Sequence, residues 1–440
     1  MEWEALKKVG IFDLLSPLGK RIVLPQGIFY WSGRAKKEAK INATIGTAMG
    51  YENEFLDPAD FTGDGSAFVT FHLPALRRCF SGLGSEEIFP YAPIAGIPEL
   101  RDAWRDWINF KAGKTLPLTR PIIGPGITGT LHLALRLFVG EGGSVVSPDR
   151  FWGNYNNIVQ RNIGARFTTF PFYDGTGFNL TGLRSTLEHE LQDNPSAVLL
   201  LNFPNNPTGY SPTGRELAEI PRIIHEVLEK YDKWIVVLTD DAYEGFSYEP
   251  DVPGRSVFYD LAGTHPKLLA VKLDGISKEL LFYGARIAAM TFALHPSIME
   301  PSVEAELENK VSGIIRSTVS NSPRPLQHMV LKVLKDRDRL LRDRARVIEV
   351  LRNRYALTSK ELRRLDGTRA RVLPFNSGFF CFADLVGIKP AEIAEKLLRE
   401  YKTGIIPIDT PGNGGIRIAF CSTPEGQIPI LVENIRKALA

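Results

Sequence analysis

Short apolar runs alternate with amphipathic segments through the middle of the chain, and this alternation constrains the fold more than any other feature. The runs occupy residues 144–146, 197–201, 234–238, 268–271 and 287–294. Between them lie segments such as TGTLHLALRLFV and GRELAEIPRIIHEVLEKY, in which apolar residues recur every three or four positions. Strands that alternate with helices are typical of an α/β domain, and we predict helices that flank a mainly parallel sheet.

The pattern changes beyond residue 330. The segment LKVLKDRDRLLRDRARVIEVLRNRY predicts one long helix with an apolar stripe and a solvated face of mixed charges. Two strand-like pieces, SGFFCFADL and GIRIAFC, and a closing helix follow. Because 440 residues exceed one ordinary core, we predict three parts. They are an N-terminal arm with part of a small domain (1–56), a large domain (57–330) and a smaller α/β domain (331–440).

Composition narrows the functional class. Hydrophobic residues make up 44% of the chain and charged residues 23%, which is the balance of a folded protein. A net charge of +3 with interleaved signs argues against a nucleic-acid partner. Three widely spaced cysteines predict neither a disulfide framework nor a metal site. The N-terminus lacks the pattern of a signal peptide, and no apolar run approaches about 18 residues, so we expect a cytoplasmic protein that contacts no membrane.

Polar motifs follow the predicted strands. In an open α/β sheet, ligands bind beyond the carboxyl ends of the strands. NFPNNPTG, TDDAYEGF and KLDGISK come directly after three of the apolar runs, while GPGITGT and SPDRFWGNY lie upstream. Each motif alone has an ordinary interpretation as a turn, a helix start, a helix cap or a surface lysine. Their order and position together predict a ligand site.

The combination of NNPTG, Asp-x-x-Tyr, Ser-Lys followed eight residues later by arginine, and a late strand arginine resembles a known family. It is similar to the fold-type I pyridoxal-phosphate (PLP) aminotransferases, and within them to the aspartate and aromatic aminotransferase subgroup. The resemblance extends from KINATIG, at residues 40–46, to GGIRIAFC, at residues 414–421. It implies an α/β fold with a large PLP-binding domain and a smaller domain, and pyridoxal 5′-phosphate as the cofactor.

The resemblance also assigns the residues that meet the cofactor ring. Lys278 matches the lysine that holds the cofactor as a Schiff base, and Asp240 matches the carboxylate beside the pyridine nitrogen. Asn206 and Tyr243 match the two donors to the ring's phenolic oxygen. A carboxylate beside the nitrogen stabilises its protonated form, so that the ring can accept electrons. Lys278, Asp240 and Tyr243 are therefore the predicted catalytic residues.

The same resemblance predicts a phosphate site and a ring contact. Ile127 and Thr128 offer amides at a helix start, and Arg286 offers a permanently charged fork. Trp152 matches the aromatic residue that stacks on the ring. Tyr91, in YAPIAGIPELR, matches a tyrosine that reaches the phosphate of the neighbouring subunit. This match implies a homodimer with shared active sites.

Substrate contacts are predicted at Arg417, Gly46, Trp152 and Arg316. Arg417 matches the clamp for the α-carboxylate. Arg316, in IIRSTVSNSP, matches an arginine of the partner subunit that binds the side-chain carboxylate of aspartate or glutamate; the alternative is a helix-end arginine paired with a nearby acid. The resemblance thus implies ping-pong transfer of an amino group from an L-amino acid, with aspartate first, to a 2-oxo acid such as 2-oxoglutarate.

Three alternatives stay open. The first is an aromatic, alanine or broad-range aminotransferase, and the second is a PLP-dependent lyase or decarboxylase. The third is a transcription regulator of the same fold, for which the short N-terminal segment leaves no space for a DNA-binding domain.

Two positions depart from the family pattern: Gly275 replaces a hydroxyl residue that donates to the phosphate, and Ala288 replaces a glycine. We also predict cis peptide bonds at Asn206–Pro207 and Ser147–Pro148.

Overall fold

A seven-stranded, mainly parallel sheet forms the centre of the computed structural model, which describes residues 3–24, 26–410 and 413–440. Its strands are β1 (Ile122–Gly124), β2 (Ser144–Pro148), β3 (Arg166–Phe170), β4 (Ser196–Asn202), β5 (Trp234–Asp240), β6 (Leu268–Gly275) and β7 (Ala288–Ala293). The spatial order is β1-β7-β6-β5-β4-β2-β3, and β7 alone is antiparallel to its neighbours. Strands β4 to β7 are buried almost throughout, as expected for a sheet covered on both faces.

The longer helices cover this sheet or pack against the C-terminal part of the chain. They are α1 (Gln26–Glu38), α2 (Pro98–Ala112), α3 (Gly126–Phe138), α4 (Leu180–Asp193), α5 (Gly214–Tyr231), α6 (Pro301–Thr318), α7 (Arg324–Lys335), α8 (Arg337–Leu362), α9 (Pro390–Tyr401) and α10 (Ile428–Leu439). Helix α5 shows how the sequence sets a boundary, because Thr213 and Glu216 form a reciprocal capping box at its start. The predicted α/β class with a mainly parallel sheet is confirmed.

A second, four-stranded antiparallel sheet lies in the C-terminal part of the chain. Its strands are β8 (Ala370–Val372), β9 (Cys381–Leu385), β10 (Ile406–Thr410) and β11 (Asn413–Ile418), in the order β8-β9-β11-β10. The N-terminal segment joins this region, because the short strand Ile41–Asn42 pairs in parallel with Thr403–Gly404. The division at residues 56 and 330 stays a prediction.

The predicted long helix after residue 330 is interrupted, so that prediction was wrong. Helix α7 ends at Lys335 and α8 begins at Arg337. Asp336 stands between them, and its carboxylate accepts a hydrogen bond from the backbone N–H of Arg339 at 3.4 Å. Aspartate is a preferred N-cap residue because its side chain satisfies a free amide of the first helical turn.

Shorter elements complete the chain. Short α-helices span Glu4–Lys8, Ile11–Leu14, Pro17–Arg21, Glu52–Phe55, Pro74–Cys79, Ser85–Ile88, Asn154–Asn156, Phe258–Leu261 and Ile276–Glu279, and a π-helix spans Asn157–Ile163. Strands Met49–Tyr51 and Phe68–Thr70 pair with each other, as do Tyr173–Asp174 and Gly177–Phe178. Among the described residues, no helix combines the length and the apolar character needed to cross a membrane.

The two predicted cis peptide bonds have different outcomes. The Asn206–Pro207 bond is cis, which confirms the first prediction. The Ser147–Pro148 bond is trans, so the second prediction was wrong, whereas Phe203–Pro204 is cis and was not predicted. The local sequence Ser-Pro permits either isomer, and the surrounding structure selects one of them.

Candidate active site

A cavity of about 320 Å³ opens at the carboxyl ends of β4, β5 and β6, where open α/β sheets bind their ligands. Its walls consist of Ile28, Gly46, Thr47, Ile127, Thr128, Trp152, Asn202, Asn206, Asp240, Ala242, Tyr243, Ser277, Lys278, Arg286, Phe380 and Arg417. All the predicted site residues except Tyr91 and Arg316 therefore line one cavity. Residues separated by more than 370 positions in the chain meet there.

Lys278 lies on the short helix Ile276–Glu279 that follows β6. Its Nζ is 5.3 Å from the centre of the Tyr243 ring. Burial lowers the pKa of Lys278 to about 8, against the opposing effect of Asp240 and with a smaller contribution from the nearby charge of Arg286. The amine is thus closer to its neutral form than a solvated lysine, which suits a nucleophile or a proton carrier.

Asp240 is the last residue of β5, and its side chain is buried. One carboxylate oxygen accepts a hydrogen bond from the Tyr155 hydroxyl at 2.5 Å, and the other accepts one from the Ala242 amide at 3.2 Å. Burial raises the pKa of Asp240, while these two donors and the charge of Lys278 oppose that effect. A positively charged group in the cavity beside this carboxylate would therefore be stabilised, as a protonated pyridine nitrogen requires.

Arg417, on β11, supplies a buried cation to the cavity. Its guanidinium donates to the Asn206 side-chain oxygen at 3.3 Å and to the Thr44 carbonyl at 2.9 Å, and it lies 4.2 Å from the centre of the Phe380 ring. Its Nε is buried and has no hydrogen-bond partner among the described residues. Such a free donor can pair with a carboxylate of a ligand.

The start of helix α3 and Arg286 form the cationic end of the cavity. Arg286 has a positive φ of 54°, which is uncommon for a residue with a side chain, and it donates to the Ser277 hydroxyl at 3.0 Å. Gly126 begins α3, and a Cβ at this position would lie 2.6 Å from an Arg286 nitrogen. Glycine therefore lets the guanidinium lie against the helix start, where amides and the helix dipole attract anions.

Gly275, the first departure from the family pattern, is packed tightly. A Cβ at this position would lie 3.3 Å from the Cβ of Ile127 and 3.7 Å from the Cβ of Ala288, the second departure. Ser277 offers a hydroxyl on the cavity wall and was not assigned from the sequence. Tyr155 was also missed, although it stands in the quoted motif SPDRFWGNY; its only signal was a hydroxyl three residues after Trp152.

A larger cavity of about 870 Å³ adjoins the first and shares Ile28, Thr128, Trp152, Asn206 and Arg417 with it. Its distal walls are mainly apolar and contain Phe29, Phe151, Phe167, Phe382, Ile406 and Ile408. Arg150 in this wall is paired with Asp384 at 2.9 Å and lies 5.4 Å from the centre of the Phe382 ring. The charge of Arg150 is therefore already balanced within the protein.

Tyr91 and Arg316 lie outside both cavities. The Tyr91 side chain is 90% exposed. Arg316 is exposed near the end of α6 and donates to the Ser320 hydroxyl. Both residues were predicted to act across a subunit boundary, and their roles stay predictions.

Comparison with known proteins agrees with this geometry. The family model for aminotransferase class I and II matches residues 72–435. The chain belongs to this family. The match confirms the predicted resemblance and shows that the protein is a transaminase.

Relatives of this aminotransferase differ in their named substrates. The mitochondrial aspartate aminotransferase of Dictyostelium discoideum is 26% identical over 362 residues, which cover 80% of this chain and 78% of the relative. Aromatic-amino-acid aminotransferase 2 of Thermococcus litoralis is 25% identical over 346 residues, 76% and 80% of the two chains. The structure of an aminotransferase from Anaerococcus prevotii aligns with a TM-score of 0.79 at 23% identity, covering 97% and 99%, and shows the same fold.

Proposed function

We propose that this aminotransferase uses pyridoxal 5′-phosphate to move the amino group of an L-amino acid to a 2-oxo acid by a ping-pong mechanism. The observation that carries the proposal is the meeting of Lys278, Asp240 and Arg417 in one cavity at the carboxyl ends of the strands. The donor set fits the cofactor: an anion site at Gly126 and Arg286, a buried carboxylate with a raised pKa, and a lysine with a lowered pKa.

Each residue has a defined task in this proposal. When bound, the cofactor supplies an electron sink for the electrons of the substrate's Cα–H bond. Lys278 would anchor the cofactor's aldehyde, and its Nζ, once free, takes the proton from the substrate's Cα. Asp240 holds a positive charge at the ring nitrogen, and Tyr155 keeps that carboxylate oriented. Arg417 binds the substrate's α-carboxylate through its free Nε and thereby orients Cα.

Asn206, Tyr243, Trp152 and the phosphate-site residues complete the binding of the cofactor. We assign Asn206 and Tyr243 to the phenolic oxygen, because both line the cavity on the side of Lys278 and Arg417. Trp152 provides an aromatic face, and Ile127, Thr128 and Arg286 receive the phosphate. Ser277 offers the hydroxyl that Gly275 lacks.

Aspartate with 2-oxoglutarate is the first substrate pair that we propose. The name of the Dictyostelium relative supports this pair, and so does Arg316 in its Ser-Asn-x-Pro context. An aromatic or other bulky apolar amino acid is the second candidate. The apolar walls of the larger cavity favour it, because Arg150 is already neutralised by Asp384 and offers little to a second carboxylate.

We further propose a cytoplasmic homodimer in which Tyr91 and Arg316 complete the site of the partner subunit. The segment that carries Tyr91 exposes an unusual amount of apolar surface: Phe80 is 60% exposed, Phe89 81% and Tyr91 90%. Exposed aromatic side chains at this density are typical of a protein interface.

An absorption spectrum tests the core of the proposal. Purified protein should show a visible cofactor band that changes when an amino-acid substrate is added, and Lys278→Ala should lack this band. The exposed-lysine variant Lys36→Met is the matched control and should keep it. A colourless protein that takes up no added cofactor would contradict the proposal.

Kinetics with three donors test the substrate class. The test compares kcat/KM for aspartate, phenylalanine and alanine with 2-oxoglutarate as acceptor. Product formation from each donor is also measured without an acceptor. Arg316→Ala should lower kcat/KM selectively for aspartate, because only aspartate carries a second carboxylate. Equal losses for all three donors would remove Arg316 from the site, and product formation without an acceptor would indicate a lyase or a decarboxylase.

A further inference from the structure

A cluster of buried charges lies directly behind the cavity and takes no part in the chemistry described above. We define the charge cluster as Lys111, Asp241, Glu244, Lys272, Asp274, Glu279 and Arg344. The Lys272 side chain is fully buried, and the four carboxylates are between 1% and 4% exposed. Seven charges in a protein interior are unusual, because each ion loses its hydration when it is buried.

Lys272 is the centre of the charge cluster. Its Nζ contacts Asp241, lies 2.9 Å from a Glu244 oxygen and lies 3.0 Å from an Asp274 oxygen. These three carboxylates are close enough to one another to hold a metal ion, but the ammonium group already occupies the space between them. The charge cluster is thus a closed set of ion pairs and offers no cation site.

The cluster joins segments that are distant in sequence. Lys111, at the end of α2, lies 2.7 Å from Glu244 and 2.8 Å from Glu279. Arg344, on α8, lies 3.4 Å from Glu279 and donates to the Glu244 carbonyl at 3.3 Å. The two helices are therefore tied to the turn after β5 and to the short helix after β6.

Neutral side chains also donate hydrogen bonds to carboxylates of the charge cluster. The indole N–H of Trp104 donates to Asp274 at 3.0 Å, and that of Trp107 donates to Glu279 at 2.7 Å. The Tyr259 hydroxyl donates to Glu244. One Asp274 oxygen and one Arg344 nitrogen have ion-pair contacts but no hydrogen-bond partner among the described residues. The remaining hydrogen bonds and ion pairs restrict the positions of Asp274, Glu244 and Glu279.

Three of the four carboxylates of the cluster are chain neighbours of residues that line the cavity. Asp241 follows Asp240, Glu244 follows Tyr243, and Glu279 follows Lys278; Asp274 precedes Gly275 at the end of β6. A shift of the backbone at Asp241, Glu244 or Glu279 therefore also shifts the adjacent cavity residue. Catalysis by positioned groups is sensitive to displacements of about 1 Å, which can change rates by about a hundredfold.

We propose that the charge cluster is a positioning device that fixes the distance and orientation of Lys278 relative to Asp240, with Lys272 as its central positioning residue. The inference rests on the proposed cofactor chemistry at Lys278. It assigns to Lys272, Asp274 and their partners a function in catalysis through their neighbours, not through contact with the substrate.

The test uses the holoenzyme and a charge-balanced pair of substitutions. Lys272→Met leaves carboxylates unpaired and is expected to destabilise the protein, so Asp274→Asn is added to remove one charge of each sign. The double variant should fold, bind the cofactor with about a tenfold weaker Kd, and show about a tenfold lower kcat with little change in KM. The pH at which the bound cofactor's visible band changes should also move, because that pH reports the surroundings of Lys278.

Two further variants keep the test decisive. Tyr259→Phe removes one hydrogen bond to Glu244, preserves the ring, and should weaken cofactor binding about threefold even if the double variant does not fold. Glu190→Gln is the matched control, because Glu190 is a buried carboxylate bound by Ser144 and Thr168 near the opposite end of the sheet. It should lower the melting temperature and leave the Kd, kcat and visible band unchanged.

The outcomes separate the positioning role from the proposed function. A wild-type protein without a cofactor band refutes the proposed function itself. A wild-type band together with unchanged Kd, kcat and pH response in the folded double variant, or in Tyr259→Phe, refutes the positioning role alone. Equal changes in Glu190→Gln would also overturn it, because loss of stability would then explain the effects.

Discussion

In the cofactor-free protein, Lys278 should lower the free energy of unfolding at neutral pH. Its replacement by methionine should therefore stabilise the cofactor-free protein. Methionine keeps an unbranched side chain of similar length, so the packing around the site changes little. The prediction follows from the pKa of Lys278, which burial lowers to about 8 from the ordinary value of 10.5. Because the folded state disfavours the ammonium form, protonation of Lys278 opposes folding.

The magnitude follows from the two pKa values. Each unit by which the pKa is shifted corresponds to about 1.4 kcal/mol. A pKa of about 8 in place of 10.5 therefore lowers the free energy of unfolding by roughly 3 kcal/mol at pH 7. The Lys278 side chain is partly exposed to the cavity, where water screens the charge, and Asp240 loses a neighbouring cation in the variant. We therefore expect a gain of about 2 kcal/mol in the free energy of unfolding.

The sign of the pH dependence is fixed. Between the two pKa values the unfolded chain binds a proton that the folded chain does not, so the wild-type stability rises with pH in this range. The advantage of Lys278→Met should be full below pH 8 and should fall to less than about 1 kcal/mol at pH 10.5.

Urea unfolding of cofactor-free protein at pH 7 and pH 10.5 measures both quantities. Lys36→Met, an exposed position on α1, is the control and should change the free energy of unfolding by less than about 0.5 kcal/mol at either pH. The reasoning is refuted if Lys278→Met is less stable than the wild type at pH 7, or if its advantage is the same at both pH values.

Three further predictions concern the clamp, the anion site and a helix cap. Arg417→Lys loses the planar fork and should lower kcat/KM about 10- to 100-fold for every amino acid, equivalent to about 1.5–3 kcal/mol in steady-state kinetics. Gly126→Ala places a Cβ against Arg286 at a positive φ of 71° and should weaken cofactor binding in equilibrium dialysis, with little effect on KM. Thr213→Ala removes the capping box of α5 and should cost about 1 kcal/mol in urea unfolding, with an unchanged cofactor band.

The sequence was sufficient to predict the strands of the main sheet and most of the residues that line the cavity. The apolar run at 197–201 became β4 with one added residue at each end, and the run at 234–238 became β5 with two added residues at its carboxyl end. Asp240 ends β5, and this position alone places a carboxylate at the edge where the sheet binds ligands. No local sequence pattern indicates that Asn206 and Arg417 lie near each other. They were assigned to the same site as Asp240 only because of the resemblance to the family.

Other features depend on tertiary contacts that no local pattern records. The Tyr155 hydroxyl reaches Asp240 across 85 positions of the chain, and a helical turn offers no signal for that contact. Tyr91 and Arg316 were predicted to act on a second subunit, and their positions on one chain do not test that prediction. The break at Asp336 is different, because a sequence signal for it exists: aspartate is a preferred N-cap residue. The charge pattern continues on both sides of Asp336, and it led to the prediction of one uninterrupted helix.

The charge cluster shows why the sheet alone does not explain this site. Residues 272 and 274 share one face of β6, because side chains two positions apart point the same way, and both are charged and buried. A core selected only for stability can fill such positions with apolar residues at no loss. Lys272 and Asp274 are instead ionic, and three carboxylates of the charge cluster adjoin Asp240, Tyr243 and Lys278 in the chain. If stability were their only function, the charge-balanced double variant would retain full catalysis, so that variant separates stability from function.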